Sequence, residues 1–376
     1  MHLRHLQPLV DNALGDTPVI CLNGAARTGK TTLVEALQAA WPGTFARLSD
    51  PATLAWATGD PAGFLDSLPG LAFLDDAHRA PGLLPLLPAA VADGRRFLLT
   101  STEILPRLAR SLAWRMETFT LWPLAQAELQ SAFPGLIDAS FAGDPTLLRL
   151  EPLDRRMLLS RVLTGGYAEV QELAPRLREG WFHDYIGALA RDLRVLTDLG
   201  DARQLIRLLA ASGSDPAAQR CRELLARRQL MASLPAVSGP PFRCFNDSAL
   251  QAQLLGPATA GLDIRPILAA PLLETFAFME LVKTAPWSQS RPALRHLRAG
   301  AQSLLVLEDH RRDLIAFAVN ASATVQAEDF QGLLELRARV GERLRAGLVL
   351  HAGEAVRRFG PGLWTLPFQA LWAARA

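Results

Sequence analysis

Short apolar runs punctuate the first hundred residues, and each ends in glycine-rich or polar sequence. Val19-Ile20-Cys21-Leu22 is such a run. It lacks apolar–polar alternation, which suits a strand buried on both faces. Thr32-Leu33-Val34-Glu35-Ala36-Leu37 follows soon after, with Leu33 and Leu37 at helical spacing. Leu71-Ala72-Phe73-Leu74 leads into Asp75-Asp76, and Arg96-Phe97-Leu98-Leu99 leads into Thr100-Ser101-Thr102. Strands alternating with helical segments predict a parallel sheet with helices on both faces.

The pattern then changes. Ala142-Gly143-Asp144-Pro145 reads as a loop. Residues 146–236 are mainly helical, and Phe182, Ile186, Leu189, Leu193 and Leu196 step by three and four. Leu205, Leu208 and Leu209 continue the apolar spacing toward Gly213 and Pro216. Ser238-Gly239-Pro240-Pro241 is a turn or linker, after which strands and helices mix. Gln331–Arg345 has the period of one amphipathic helix, with Leu333, Leu336, Val340 and Leu344 inward. Val349-Leu350 and Leu363-Trp364 suit late strands, and Trp364, Phe368 and Trp372 suit core packing. The expected organisation is three domains, at residues 1–145, 146–241 and 242–376.

Bulk properties narrow the classes. The chain has 376 residues, 49% apolar and 20% charged, with a formal net charge of +2. That balance gives no global pull toward nucleic acid or an anionic membrane. Cys21, Cys221 and Cys244 are far apart, which fits a reducing compartment and supplies no zinc spacing. Proline at 81, 85 and 88 breaks the richest apolar stretch before it reaches membrane-spanning length. His2, Arg4 and His5 open the chain without a signal-type apolar core, as a frayed terminus. The expectation is a cytoplasmic protein with no membrane partner.

The most specific chemistry lies in Gly24-Ala25-Ala26-Arg27-Thr28-Gly29-Lys30-Thr31. The pattern G-x-x-x-x-G-K-T between a strand and a helix is a phosphate-cradling loop, in which backbone N–H groups surround the phosphates. Only Lys30 and Lys283 interrupt a chain whose other basic residues are all arginine. A compact ammonium reaches between β- and γ-phosphate oxygens where a guanidinium fork does not. Gly24 to Thr32 are the expected nucleotide contacts, with the Thr31 hydroxyl on Mg²⁺. Asp75 is the expected metal-side carboxylate. Asp76 stands where many ATPases carry a water-orienting glutamate. Its carboxylate is one methylene shorter, about 1.5 Å further back, and a misplacement of about 1 Å costs on the order of 10²-fold in rate. Thr100 or Thr102 either senses the γ-phosphate or simply caps the strand end.

Taken together, the loop, LAFLDDAHRAP, FLLTSTEIL and LARSLAWRMETFTLWPLAQAEL resemble AAA+-type ATPases that carry a C-terminal DUF4143 domain. That family's I-Q-R-x-P stands here as Ala77-His78-Arg79-Ala80-Pro81, and its L-A-G-R as Leu112-Ala113-Trp114-Arg115. The resemblance implies that Arg115 contacts the γ-phosphate in cis or from a neighbouring subunit, as in a homo-oligomer. It implies an α/β fold with three parts: an AAA+-like P-loop sheet, a helical, winged-helix-like middle and a restriction-endonuclease-like end. The winged-helix region is truncated, and the basic helix with Arg220, Arg222, Arg227 and Arg228 is either a DNA contact or a solvated face. In the nuclease-like part Glu274 matches the family's helix glutamate. The E-V-D strand, however, reads Gln302-Ser303-Leu304, and Ala318 and Asn320 replace the Glu and Lys of E-x-K. The expectation is an ATP- and Mg²⁺-binding hydrolase without nuclease chemistry. The alternatives are a non-hydrolysing ATP-bound switch, a nucleic-acid-binding module and a realigned metal site of Glu274, Glu308 and Asp313.

Overall fold

The computed structural model describes residues 2–194, 216–255 and 266–375. The expected helical positions Leu196, Leu205, Leu208, Leu209 and Gly213, and the side chain of Leu193, lie outside the described residues. The chain forms two compact units: Leu3–Pro123 with Arg227–Gln229, and Leu124–Ala226 with Leu230–Ala376.

The first unit contains a sheet of β1 (Val19–Asn23), β2 (Thr44–Arg47), β3 (Leu71–Asp75), β4 (Arg96–Ser101) and β5 (Met116–Thr120). The order is β2-β3-β4-β1-β5, and every pairing is parallel. The unbroken apolar runs now have their reason. Val19 and Cys21, with Ala72, Leu74, Phe97 and Leu99, face one core beside Phe64, Leu83 and Leu108. Ile20 and Leu22, with Phe73 and Leu98, face the other beside Val10, Leu14, Leu33 and Leu37. A strand buried on both sides has no polar face to show in its sequence. The helix Gln7–Asp16 belongs to that second core, and Arg4 and His5 ahead of it are buried, so this end is not frayed.

The second unit begins with segment 124–145. Gln126 N–H donates to Glu280 at 2.7 Å, and Asp138 accepts from Ser290 N–H and Oγ at 3.0 and 2.6 Å. Asp154 caps the helix Arg155–Thr164 through Met157 N–H. In the helix Pro175–Arg194 Phe182, Ile186 and Leu189 are buried, and Trp181 stacks on Tyr185 one turn away. The helix Pro216–Arg227 precedes an antiparallel hairpin of β6 (Met231–Leu234) and β7 (Phe242–Phe245). Ser238-Gly239-Pro240-Pro241 is therefore part of a hairpin turn, and the expected division at 241/242 falls between that turn and β7. Six strands form a mixed sheet ordered β12-β13-β11-β10-β9-β8. They are β8 (Ala293–Ala299), β9 (Gln302–Glu308), β10 (Leu314–Asn320), β11 (Leu344–His351), β12 (Arg357–Gly360) and β13 (Leu363–Pro367).

The segment read as one helix to Arg345 breaks earlier. The helix is Gln331–Val340, and Gly341 takes a φ of 62° at its end. Leu344 then starts β11 and meets Leu333 and Leu336 in the same core from a strand. Glycine with positive φ after a helix is an ordinary stop, so periodicity alone overran the signal.

Candidate functional site

Parallel strands bring all their carboxyl ends to one edge, and β4 lies between β3 and β1. Leu22 is level with Thr100, and Leu74 with Leu99. The loop after β1, the acids ending β3 and the hydroxyls ending β4 therefore meet without any further folding device.

The loop's shape depends on two glycines. A Cβ on Gly24 would stand 2.4 Å from the Leu121 carbonyl, so only glycine fits. Gly29 holds a φ of 90° just before the helix Lys30–Gln38, which has no side-chain cap. The first N–H groups of that helix lack intrahelical partners, and with its dipole they suit an anion. The Lys30 ammonium, 6% exposed, donates to the carbonyls of Gly24 and Ala25 at 2.9 and 2.8 Å. Burial lowers its pKa to about 8, while the charges of Asp76 and Asp75 pull the other way. Thr28 Oγ1 donates to the Ala25 carbonyl at 3.0 Å. Arg27 takes a φ of 63°, and Ala25 is buried. Ala26 is exposed, as is Thr32 in the helix's first turn.

Thr31 and Asp75 come together. Thr31 Oγ1 lies 2.9 and 3.2 Å from the two Asp75 carboxylate oxygens. Asp75, 2% exposed, also accepts from Thr100 Oγ1 at 2.6 Å. Thr100 in turn accepts from the Asp76 N–H at 2.8 Å. Its single proton is thus committed to Asp75, which makes Thr100 a brace between β3 and β4. Asp76 has a φ of 60°, in the left-handed region. Burial first, then the charge of Asp75, raises its carboxyl pKa, against Lys30, Arg79 and Arg47.

Arg115 is not part of this group. It is exposed and precedes β5, whose first residue pairs with Val19 at the amino end of β1. The loop follows Asn23, so four strand steps, about 13 Å, separate the two ends. Beside it Trp114 is 83% exposed, with Arg115 5.7 Å from its ring centre.

Two residues were missed by sequence reasoning. Arg4 donates to the Thr28 carbonyl at 2.8 Å and to the Trp122 carbonyl at 2.7 Å, tying the loop to the end of β5. His78 Nε2 lies 3.0 Å from Thr102 Oγ1, and burial lowers its pKa to about 4. Arg4 belongs to no motif, and the I-Q-R-x-P match gave His78 no role; each acts on a partner 24 residues away.

At the positions the resemblance assigns to nuclease chemistry, Leu304 and Ala318 are buried in the core. Gln302 donates to the Asp329 carbonyl and accepts from Gly332 N–H, and Asn320 donates to Asp329. Glu274 is mostly buried, which raises its pKa, against a hydrogen bond from Ser303 and the charge of Arg298. Glu308 meets Arg295, Arg312 and Arg343 at 3.3 to 3.7 Å. Asp309 accepts from Arg311 and Asp313 N–H at the β9–β10 turn. Among the described residues no group of three or more His, Cys, Asp or Glu could hold a metal ion, and no helix is long and apolar enough to cross a membrane. On the helix Pro216–Arg227, Arg220 and Arg227 are exposed and Cys221 and Leu225 are buried.

Residues 16–130 match the family model of the AAA domain, and residues 270–371 match that of a domain of unknown function, DUF4143. No curated protein matches the chain. Among solved structures, the Walker-type ATPase PABY2304 of Pyrococcus abyssi is similar at 11% identity and a TM-score of 0.40, with 66% of this chain and 94% of that chain covered. A signal transduction ATPase with numerous domains and a tetratricopeptide repeat sensor, PH0952 from Pyrococcus horikoshii, is similar at 15% identity and a TM-score of 0.23, with 75% and 46% covered.

Proposed function

We propose that this chain, which carries an AAA domain and a DUF4143 domain, binds ATP with Mg²⁺ and hydrolyses it to rearrange its C-terminal domains. The observation that carries this reading is the Thr31–Asp75 pair at 2.9 Å, set beside a buried ammonium with no carboxylate in hydrogen-bond contact. A hydroxyl facing a carboxylate is an oxygen donor set suited to Mg²⁺. Thr31 would hold the ion directly and Asp75 through its water shell; the bound ion neutralises charge on the outer phosphates.

The chain's own groups do the rest. Gly24 to Thr32 surround the phosphates with N–H groups, and Lys30 exchanges two loop carbonyls for phosphate oxygens. Asp76 accepts a hydrogen bond from the attacking water. Arg115, at the other sheet end, serves a neighbouring subunit's pocket in a homo-oligomer. Multiple-turnover phosphate release tests this reading. Release no faster than in Lys30→Ala sinks the enzyme. The second reading, a non-hydrolysing switch, is favoured by the short reach of Asp76 and then stands if ATP still binds.

The DUF4143 part is proposed to keep a restriction-endonuclease-like frame as scaffold. Gln302 and Asn320 anchor the segment 326–332 where a metal cage would need acids. Magnesium-dependent DNA cleavage that disappears in Glu274→Ala would overturn that. DNA contact through Arg220, Arg222, Arg227 and Arg228 predicts salt-dependent binding that neutralising these residues abolishes. The alternative for these arginines is a solvated face, and a cytoplasmic location is proposed with the ATP reading, because ATP is held there.

A further inference from the structure

Thr100 lies in β4 and Thr102 just past its end, and the two are committed differently. Thr100 is fully buried, gives its proton to Asp75 and accepts from Asp76 N–H. Thr102 is half-buried and meets His78 Nε2 at 3.0 Å. His78 lies in the short turn Ala77–Arg79 directly after Asp76, so the imidazole is delivered by the segment that also delivers the acids. Its other nitrogen, Nδ1, is buried with no partner.

That asymmetry fixes the proton. Burial keeps the ring neutral down to about pH 4, so it carries one N–H. A buried N–H with no acceptor is rarer than an unused lone pair. The proton therefore sits on Nε2 and is donated to Thr102 Oγ1. Thr102, already an acceptor from the ring, must aim its own O–H elsewhere. Thr100 braces Asp75, the carboxylate that would hold the metal's water shell. The Lys30 charge acts on the His78 ring, so the imidazole and the Thr102 it contacts lie toward the ammonium that would meet the outer phosphates.

We propose that His78 is a positioning residue for the terminal phosphate: it orients Thr102 so that the threonine hydroxyl donates to a γ-phosphate oxygen. The inference rests on the nucleotide reading given above and adds a basis for telling triphosphate from diphosphate.

Calorimetric titration of the full chain with Mg²⁺ and either ADP or a non-hydrolysable ATP analogue tests it. His78→Ala is expected to weaken the analogue about tenfold, the worth of a hydrogen bond to a charged oxygen, and to leave ADP within about twofold. Thr102→Val should show the same selective loss, and the double variant no more than either alone. His78→Gln, whose amide N–H reaches as far as Nε2, should restore the analogue. Equal losses for both nucleotides, or an unchanged preference in both His78→Ala and Thr102→Val, overturn the inference alone. Wild-type protein that binds neither nucleotide overturns the nucleotide reading and this inference with it.

Discussion

Lys30 and Lys283 are both buried, yet their surroundings differ in kind. Lys283, 8% exposed in its side chain, donates to Glu280 at 3.1 Å and to the Leu124 carbonyl at 3.1 Å. Glu280, 1% exposed, also accepts from Gln126 N–H. Cation, anion and backbone close on one another, and the group is complete within its own unit. Lys30 has only two neutral carbonyls in contact, with Asp75 and Asp76 acting from further off. Its ammonium is desolvated without full compensation, which is why its pKa falls. A buried cation with its counter-ion in place supports the fold; one left short of a counter-ion is ready for an anionic ligand.

Exchanging each lysine should separate the two roles most strongly. Lys30→Ala is expected to weaken ATP binding by more than about 100-fold, because the triphosphate loses its charge-assisted contacts. Urea unfolding of that variant should be no easier than in the parent. Lys283→Met is expected to leave ATP affinity within about twofold. It should cost about 3 kcal/mol in urea unfolding, since Glu280 would be left buried without its cation. Adding Glu280→Gln, which keeps an acceptor for Gln126 N–H, should recover most of that loss. If Lys283→Met is as stable as the parent, the contrast between the lysines fails.

The contrast was half legible in the sequence. Lys30 announced itself because its motif is contiguous, and an eight-residue loop needs no tertiary information to be recognised. Lys283 carried no such mark; its partner Glu280 is one helical turn away, but Leu124 is 159 residues distant. Both faces of β1 could be inferred from Val19 to Leu22, since a run without polar breaks has few other homes. The separation of Thr100 from Thr102 could not. It depends on Asp75 and Asp76 arriving from β3 beside β4, a matter of register. Arg115 was expected from a motif to reach a γ-phosphate in cis or from a neighbouring subunit, and strand direction puts it at the far end of its own sheet, which leaves the neighbouring-subunit alternative. Gly341, by contrast, was a readable stop that helical periodicity overrode.

The acid beside Lys30 offers a finer test of what the site is tuned for. If Asp76 is too short to place water well, Asp76→Glu should raise phosphate release about tenfold at unchanged ATP affinity. The gain is limited because Asp76 sits at a φ of 60°, where a longer side chain costs about 1 kcal/mol. Asp76→Asn should abolish release and retain binding. A slower Asp76→Glu enzyme would mean that water is placed from elsewhere, or that binding without turnover is the working state.

The smallest expected effect is a pH dependence that only the uncompensated lysine can cause. Lys30 must be protonated to meet phosphate, and its pKa in the unliganded protein is about 8. Apparent ATP affinity should be nearly flat below pH 7 and fall about threefold between pH 7.5 and 8.5, approaching tenfold per unit above that. Binding at pH 8.5 should take up protons, seen as a dependence of the heat on buffer ionisation enthalpy. Folding stability moves the opposite way. The unfolded lysine titrates near its ordinary 10.5, so between about pH 8 and 10.5 the unfolded chain binds more protons than the folded one. The stability cost of burying Lys30 is therefore relieved as pH rises through that window. An affinity that stays flat to pH 9, with no proton uptake, would show that Asp75 and Asp76 already compensate Lys30, and the difference between the two lysines would reduce to position alone.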